Sequence, residues 1–246
     1  MNKRQRHKRR IKIINFFAEL IGSAIFSLLF FLFIARYLSP DFDLNIILLG
    51  LFIGASYLAG VYIPFHTYRI HIIPFISIVR ALQKRKWEIV FFKIPAQFLG
   101  ALIGTYFYHL FSVYTSLSVT VGEIWSFEVV SQSDLIFFNT ITVFVLCYLF
   151  YIIQLLFKNM GFTSTFFFAL VIQVVFIFTF QVKEVSAINV FGYLSLYLIE
   201  GNPGFSSSWL ALLFTHFVFP GVTALLIYYY IRDRFVDFKG ASSVKQ

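Results

Sequence analysis

A few polar side chains interrupt the long apolar stretches of this sequence, and their types indicate hydrogen bonding rather than catalysis. Glu19 is an acid within the first apolar stretch, and Asn139 occupies the matching place in the second half. His66 and His71 could ligate a metal ion, but two histidines without a third ligand nearby are more typical of loop groups. Asn189 could cap the start of a helix through its side-chain oxygen. An acid within a span is functional by default, so a functional role for Glu19 stands beside a structural one, and for the other residues we expect local structural roles.

The catalytic group that the sequence suggests is a serine nucleophile, but the motif around this serine is incomplete. The tripeptide Gly54–Ser56 together with His216 resembles an intramembrane serine protease, but Tyr57 stands where the second glycine of a G-x-S-G box is required. The single cysteine, Cys147, lies within an apolar stretch, which excludes an intramolecular disulfide and a cysteine-rich metal site. We predict that the protein is not an enzyme and uses neither a cofactor nor a metal.

The composition is that of a protein that crosses the membrane several times. Apolar residues make up 59% of the 246 residues and charged residues 13%, whereas a soluble domain has about 25% charged residues. Stretches of roughly 20 apolar residues are expected to span a bilayer. We place six such spans near Ile13–Ala35, Asn45–Ile63, Ile89–Phe111, Leu135–Phe157, Thr163–Phe180 and Ser207–Ile231.

Two further apolar runs, His71–Val79 and Ala187–Ile199, are too short to span. Each covers roughly half of a ~30 Å hydrocarbon core, and each has the corresponding place in its half of the chain. Short segments in this arrangement indicate a central site in a transport protein. With three spans in each half, the halves must have opposite orientations. The layout therefore predicts one membrane domain, 1–246, with a basic tail (1–12), two inverted repeats (13–111 and 134–231), a connection (112–133) and a second tail (232–246).

Lys and Arg residues orient the chain. The formal charge is +9, and with six spans nearly all basic residues lie on one side, with only Arg36 and Lys183 on the other. The positive-inside rule places both termini in the cytoplasm, for a protein of the cell (plasma) membrane. The basic N-terminal tail lacks the aromatic or repeat context that would favour nucleic-acid binding, so we expect none.

Several motifs resemble those of the major intrinsic proteins, the aquaporins and aquaglyceroporins, over Asn15–Tyr230. Ala18–Gly22 is similar to the family's Ala-Glu-x-x-Gly opening, and Ala96–Ala101 to its Ala-Gln-x-x-Gly-Ala pattern. The histidines at 66 and 71 have the spacing of the two that precede the family's first Asn-Pro-Ala box. The two boxes themselves are degenerate and consist of Ile73, Pro74 and Phe75 in the first half, and of Asn189, Val190 and Phe191 in the second.

The resemblance implies an all-α membrane protein with six transmembrane helices and two re-entrant half-helices in an inverted repeat. It implies a passive channel for glycerol-like polyols or water, assembled as a homotetramer in the lipid bilayer. The four constriction positions would be Ile53, Ile177, Ser186 and Gly192, and the supports of the re-entrant loops would be Glu19, His66, His71 and Asn139.

The departures from the family pattern change what the channel could select. Ile73 can neither cap a half-helix nor donate a hydrogen bond to a solute, and Gly192 replaces the family's arginine. Phe75 and Phe191 replace small alanines where the half-helix tips approach. Either the channel is wide and apolar, or it no longer conducts what the family conducts. The alternative is the substrate-binding membrane subunit of a vitamin or other small-molecule transporter, which has a similar length and six spans.

Overall fold

The computed structural model describes residues 3–39, 45–64, 70–115, 132–157, 161–183 and 187–199, together with Val222 and Leu226. Across these ranges the chain forms seven α-helices and no β-strand. The helices are α1 (Lys3–Leu38), α2 (Ile46–Tyr62), α3 (Pro74–Lys84), α4 (Glu88–Thr115), α5 (Gln132–Leu156), α6 (Gly161–Lys183) and α7 (Val190–Ile199). A 3₁₀ turn, Ala187–Asn189, leads directly into α7.

Four of these helices contain segments that are long and apolar enough to cross a bilayer, and the protein is therefore an α-helical membrane protein. The segments are Lys12–Leu38, Val90–Thr115, Asn139–Leu156 and Gly161–Phe180. Large apolar side chains such as Phe91 and Phe178 are exposed on their outer faces, as expected where helices face lipid. Helix α2 is apolar but has only 17 residues. Of the sixth predicted span, Ser207–Ile231, the structure describes only Val222 and Leu226, which are helical and exposed.

Glycines bring the helices of the first half into close contact. Gly22 of α1 lies against Gly60 of α2, where an added Cβ would lie 2.7 Å from the Gly22 carbonyl oxygen. Gly100 and Gly104 of α4 lie against the backbone of α1, and a Cβ on either would overlap a carbonyl oxygen. Small residues allow such close approach in membranes. Since Phe33 also stacks on Phe52, α1 runs antiparallel to α2. Helix α1 is parallel to α4, because Gly100 lies against Leu20 and Gly104 against Ala24.

The helices of the second half run in the opposite sense. Helix α6 is antiparallel to α2, since Gly54 lies against Ala169 and Gly50 against Ile177. Helix α5 is antiparallel to α6, since Phe150 lies against Phe168, with ring centroids 5.1 Å apart, and Gln154 lies against Ser164. Therefore α5, the first helix of the second half, is antiparallel to α1, and α6 is antiparallel to α2.

The chain enters the bundle before each short helix, and the short helix then leads it back to the end of the bundle at which it entered. Helix α2 ends and α4 begins at the end marked by the contact between Lys12 and Glu88, so the segment containing α3 starts and finishes there. At the opposite end, Phe180 of α6 packs against Tyr37 of α1. From there the chain reaches the middle of α1 at Asn189, and α7 then runs back towards the end that it left.

Candidate functional site

The N-terminal ends of α3 and α7 meet at a cleft near the middle of the bundle. The cleft is too narrow to hold a water molecule. Its walls are Ile72 and Pro74 at the start of α3, Ile188, Asn189, Val190 and Phe191 at the start of α7, Ser23, Phe26 and Ser27 of α1, and Gln97 and Ala101 of α4. Because helix N-termini carry free N–H groups and the positive end of the dipole, two partial positive charges face this cleft.

Asn189 caps α7 and links it to α1. Its Oδ1 accepts hydrogen bonds from the Gly192 N–H and from the Ser27 hydroxyl, each at 3.2 Å. Asn189 is 4% exposed, and its Nδ2 has no hydrogen-bond partner among the described residues. An added Cβ on Gly192 would overlap the Asn189 side chain. Gly192, a predicted constriction residue, therefore lies beneath this cap, and a larger side chain would displace it.

The start of α3 is held by neighbouring helices rather than by a cap of its own. Ile73 is the N-cap residue and makes no side-chain hydrogen bond, and Pro74 follows it, at a position where a proline costs no backbone bond. The His71 N–H donates to Glu19 Oε1 at 2.8 Å. The Gln97 amide and the Ser77 hydroxyl both donate to the His71 carbonyl oxygen. Helices α1 and α4 thus fix the backbone just before α3.

Glu19 is also paired with Lys93, which in the sequence served only as one of the basic residues that orient the chain. The Lys93 ammonium of α4 forms an ion pair with Glu19 Oε1, and the two side chains are 13% and 1% exposed. Gln97 Nε2 donates to the other carboxylate oxygen at 2.9 Å. Lys93 and Gln97 are four residues apart and therefore lie on one face of α4. The four-residue spacing of Lys93 and Gln97, together with an acid within the first span, was the sequence signal that could have indicated this ion pair.

The run from Arg80 to Lys86, which the sequence predicts to be a cytoplasmic anchor, is buried at its start and exposed at its end. Lys84, Arg85 and Lys86 are exposed, whereas Arg80 is only 5% exposed. Its guanidinium donates to Gln154 Oε1 of α5 at 3.0 Å, because that face of α3 packs against α5. Arg80 therefore connects the two halves of the protein.

The remaining predicted site residues are dispersed. Ile53 is fully buried in the core, and Ile177 is half-buried against Gly50. Asn139 is buried, and its Nδ2 has no hydrogen-bond partner in the described part of the chain. Phe75 and Val190 are buried, and the Phe191 ring contacts Phe98 with centroids 5.6 Å apart. His66 and Ser186 lie outside the described residues.

Aromatic rings pack against one another through the middle of the bundle, and the sequence did not predict this series of contacts. Each ring contacts the next, with centroids 5.0 to 6.3 Å apart. We call this series the aromatic column: Tyr37, Phe180, Phe176, Phe30, Phe26, Tyr57, Phe168, Phe150 and His71. The sequence predicts that Phe and Tyr residues of the spans face lipid or pack, and the rings of this column pack. The four-residue spacing of Phe26 and Phe30, and of Phe176 and Phe180, was the only local signal.

Known proteins add no functional assignment. No protein-family model matches the chain, and no curated protein matches it significantly. Among the described residues, no group of three or more His, Cys, Asp or Glu side chains could hold a metal ion. The features of the described residues that bear on function are therefore the meeting of the two short helices and the side chains around their cleft.

Proposed function

We propose that this protein is an aquaporin-like passive channel for small uncharged solutes, in which α3 and α7 are re-entrant half-helices. The observation that carries the proposal is the meeting of their N-termini at one cleft beside Ser27, near the middle of the first span. A bilayer has no water to satisfy the backbone of such a segment, so broken helices at this depth are typical of pathways through a protein.

The helix directions support an inverted repeat. Helices α5 and α6 run antiparallel to α1 and α2, their counterparts in the first half, and the two short helices enter from opposite ends. In this arrangement a two-fold axis in the membrane plane relates the halves and passes close to the cleft. The sixth transmembrane span, near 207–231, completes the second repeat in this proposal.

The same arrangement favours neutral solutes over cations. Two helix N-termini present partial positive charge to the cleft, and Asn189 adds an unused amide donor. Half-helix dipoles of this orientation oppose the passage of protons and metal cations. Glu19 does not reverse this field, because it is paired with Lys93.

The orientation and assembly are further parts of the proposal. The excess of Lys and Arg on one side supports cytoplasmic termini in a plasma membrane. The resemblance to the major intrinsic proteins supports a homotetramer with one path in each protomer.

Flux through proteoliposomes tests the function. Purified protein would be reconstituted without ATP or a partner, and water and glycerol movement would be followed by light scattering together with potassium efflux. We expect faster movement of at least one neutral solute than in protein-free vesicles, with potassium efflux unchanged. Phe178→Ala, on the lipid-facing side of α6, is the matched control and should behave as the wild type. The proposal fails if neither water nor glycerol moves faster in the wild type, and neither does so in variants that replace a buried aromatic side chain with alanine.

A further inference from the structure

We propose that Phe30 and Phe176, within the aromatic column, form the constriction that determines which solutes cross, and that they restrict the path to solutes no larger than water. The inference rests on the proposed channel function and narrows its substrate class. It replaces the four constriction positions implied by the family resemblance with two residues from the centre of the bundle.

The two rings lie on different helices and meet at the centre of the bundle. Phe30 of α1 and Phe176 of α6 are 0% exposed. Their centroids are 5.7 Å apart, and the rings are nearly perpendicular at 83°. Such an edge-to-face pair is an attractive arrangement that leaves no gap between the rings.

The neighbouring rings close the space on both sides of this pair. Phe176 stacks on Phe180, with centroids 5.0 Å apart, and Phe30 contacts Phe26 at 5.7 Å. The Tyr193 ring of α7 lies 5.7 Å from Phe30. A solute that avoids Phe30 would therefore meet Tyr193, which belongs to the second short helix.

The column adjoins the cleft between the half-helix tips. Phe26 belongs to the column and also lines the cleft, beside Ser23 and Asn189. Beyond Phe26 the column continues through Tyr57, whose ring is 6.3 Å from that of Phe26. The column therefore borders the cleft at Phe26 and continues from there through Phe30 on one side and Tyr57 on the other.

This constriction separates solutes by size and by hydrogen bonding. The displacement of one ring can make room for about one water molecule of roughly 30 Å³. Glycerol needs a wider opening, and its hydroxyl groups would lose their water partners among aromatic rings. An apolar constriction of this kind excludes hydrated solutes by dewetting.

Variants of Phe176 test the assignment. In proteoliposomes we expect the wild type to accelerate water but not glycerol. Phe176→Ala leaves a ring-sized cavity and should raise glycerol permeability at least about tenfold. Phe30→Ala should have a similar effect, and Phe178→Ala, on the lipid face of the same helix, none. Phe176→Leu keeps most of the packing and should give a smaller increase, so it decides the matter if the alanine variants do not fold.

The possible outcomes are distinct. Water flux in the wild type with glycerol permeability unchanged in every folded Phe176 and Phe30 variant would overturn the inference and leave the proposed channel standing. Rapid glycerol movement in the wild type would overturn it in the same way. If neither the wild type nor any variant accelerates water or glycerol, both the channel function and this constriction are refuted.

Discussion

The buried ion pair between Glu19 and Lys93 is the interaction whose loss should be most damaging to the fold. Glu19 is fully buried, and its carboxylate receives the Lys93 ammonium, the His71 N–H at 2.8 Å and the Gln97 amide at 2.9 Å. The substitution Lys93→Met keeps the length and apolar stem of the side chain but removes its charge. It would leave a carboxylate in the bundle without a cation.

The expected magnitude follows from what remains around the carboxylate. Breaking a buried ion pair by removing one partner costs about 3–5 kcal/mol. Two hydrogen bonds to the carboxylate survive in Lys93→Met, so we expect the lower value, about 3 kcal/mol, or roughly 100-fold in the unfolding equilibrium. The reciprocal change, Glu19→Gln, should cost less. The Lys93 side chain is 13% exposed and can turn its ammonium towards water.

Unfolding of the purified protein in detergent, by titration with SDS and followed by circular dichroism, measures these differences. Lys12→Met is the matched control. It breaks the other ion pair between α1 and α4, whose side chains are 49% and 72% exposed and whose loss should cost at most about 1 kcal/mol. The double variant Glu19→Gln with Lys93→Met should recover most of the stability. If Lys93→Met is no less stable than Lys12→Met, the carboxylate does not depend on the cation and the reasoning fails.

Three further outcomes are expected. Gly100→Ala and Gly104→Ala should each lower the folded yield, because the new Cβ overlaps the α1 backbone, whereas Gly161→Ala, with nothing within 4 Å, should not; equal yields by size-exclusion chromatography would contradict the packing. Asn189→Ala should lower the free energy of unfolding by about 1 kcal/mol and Asn189→Ser by less, since serine can still cap α7; identical melting temperatures for the two would contradict this. In a Cys147-free variant, a cysteine introduced between Ser112 and Ser133 should react with an impermeant thiol reagent outside intact cells, and one at Ala241 should not; labelling at both sites would exclude the proposed orientation.

The hydropathy of the sequence was sufficient to predict the class of protein and most of its helices. The predicted first span, Ile13–Ala35, lies within α1, and the predicted span Thr163–Phe180 lies within α6. The short runs at 71–79 and 187–199 contain the starts of α3 and α7. Long apolar periods are legible because the bilayer imposes both length and composition on each element.

The partners of polar side chains were less legible. Glu19 was recognised as a residue that could hold a loop, but the sequence did not connect it with Lys93, which is 74 residues away. Arg80 was predicted to belong to a cytoplasmic anchor because it begins a basic run. In fact it donates to Gln154, which is also 74 residues away. Pairings at such separations depend on how the helices pack, and one sequence does not specify that.

The aromatic column was missed for a different physical reason. A phenylalanine that faces lipid and one that faces the centre of the bundle have the same hydropathy, so composition cannot separate them. Phe176 and Phe178 are two residues apart on α6, yet the first is 0% exposed and the second 67%. Only the packing of α6 against α1 and α2 distinguishes these two side chains.

The two short helices are held in place by different means, and this difference bears on how the site could move. Asn189 caps α7 from within the chain's own turn, with one added bond from Ser27. The start of α3 has no such cap and relies on Glu19 and Gln97, which belong to α1 and α4. A shift of α4 against α1 would therefore disturb the tip of α3 directly and that of α7 only through packing. The close glycine contacts between α1 and α4 oppose that shift, so the rigidity of this helix pair fixes the geometry of the cleft.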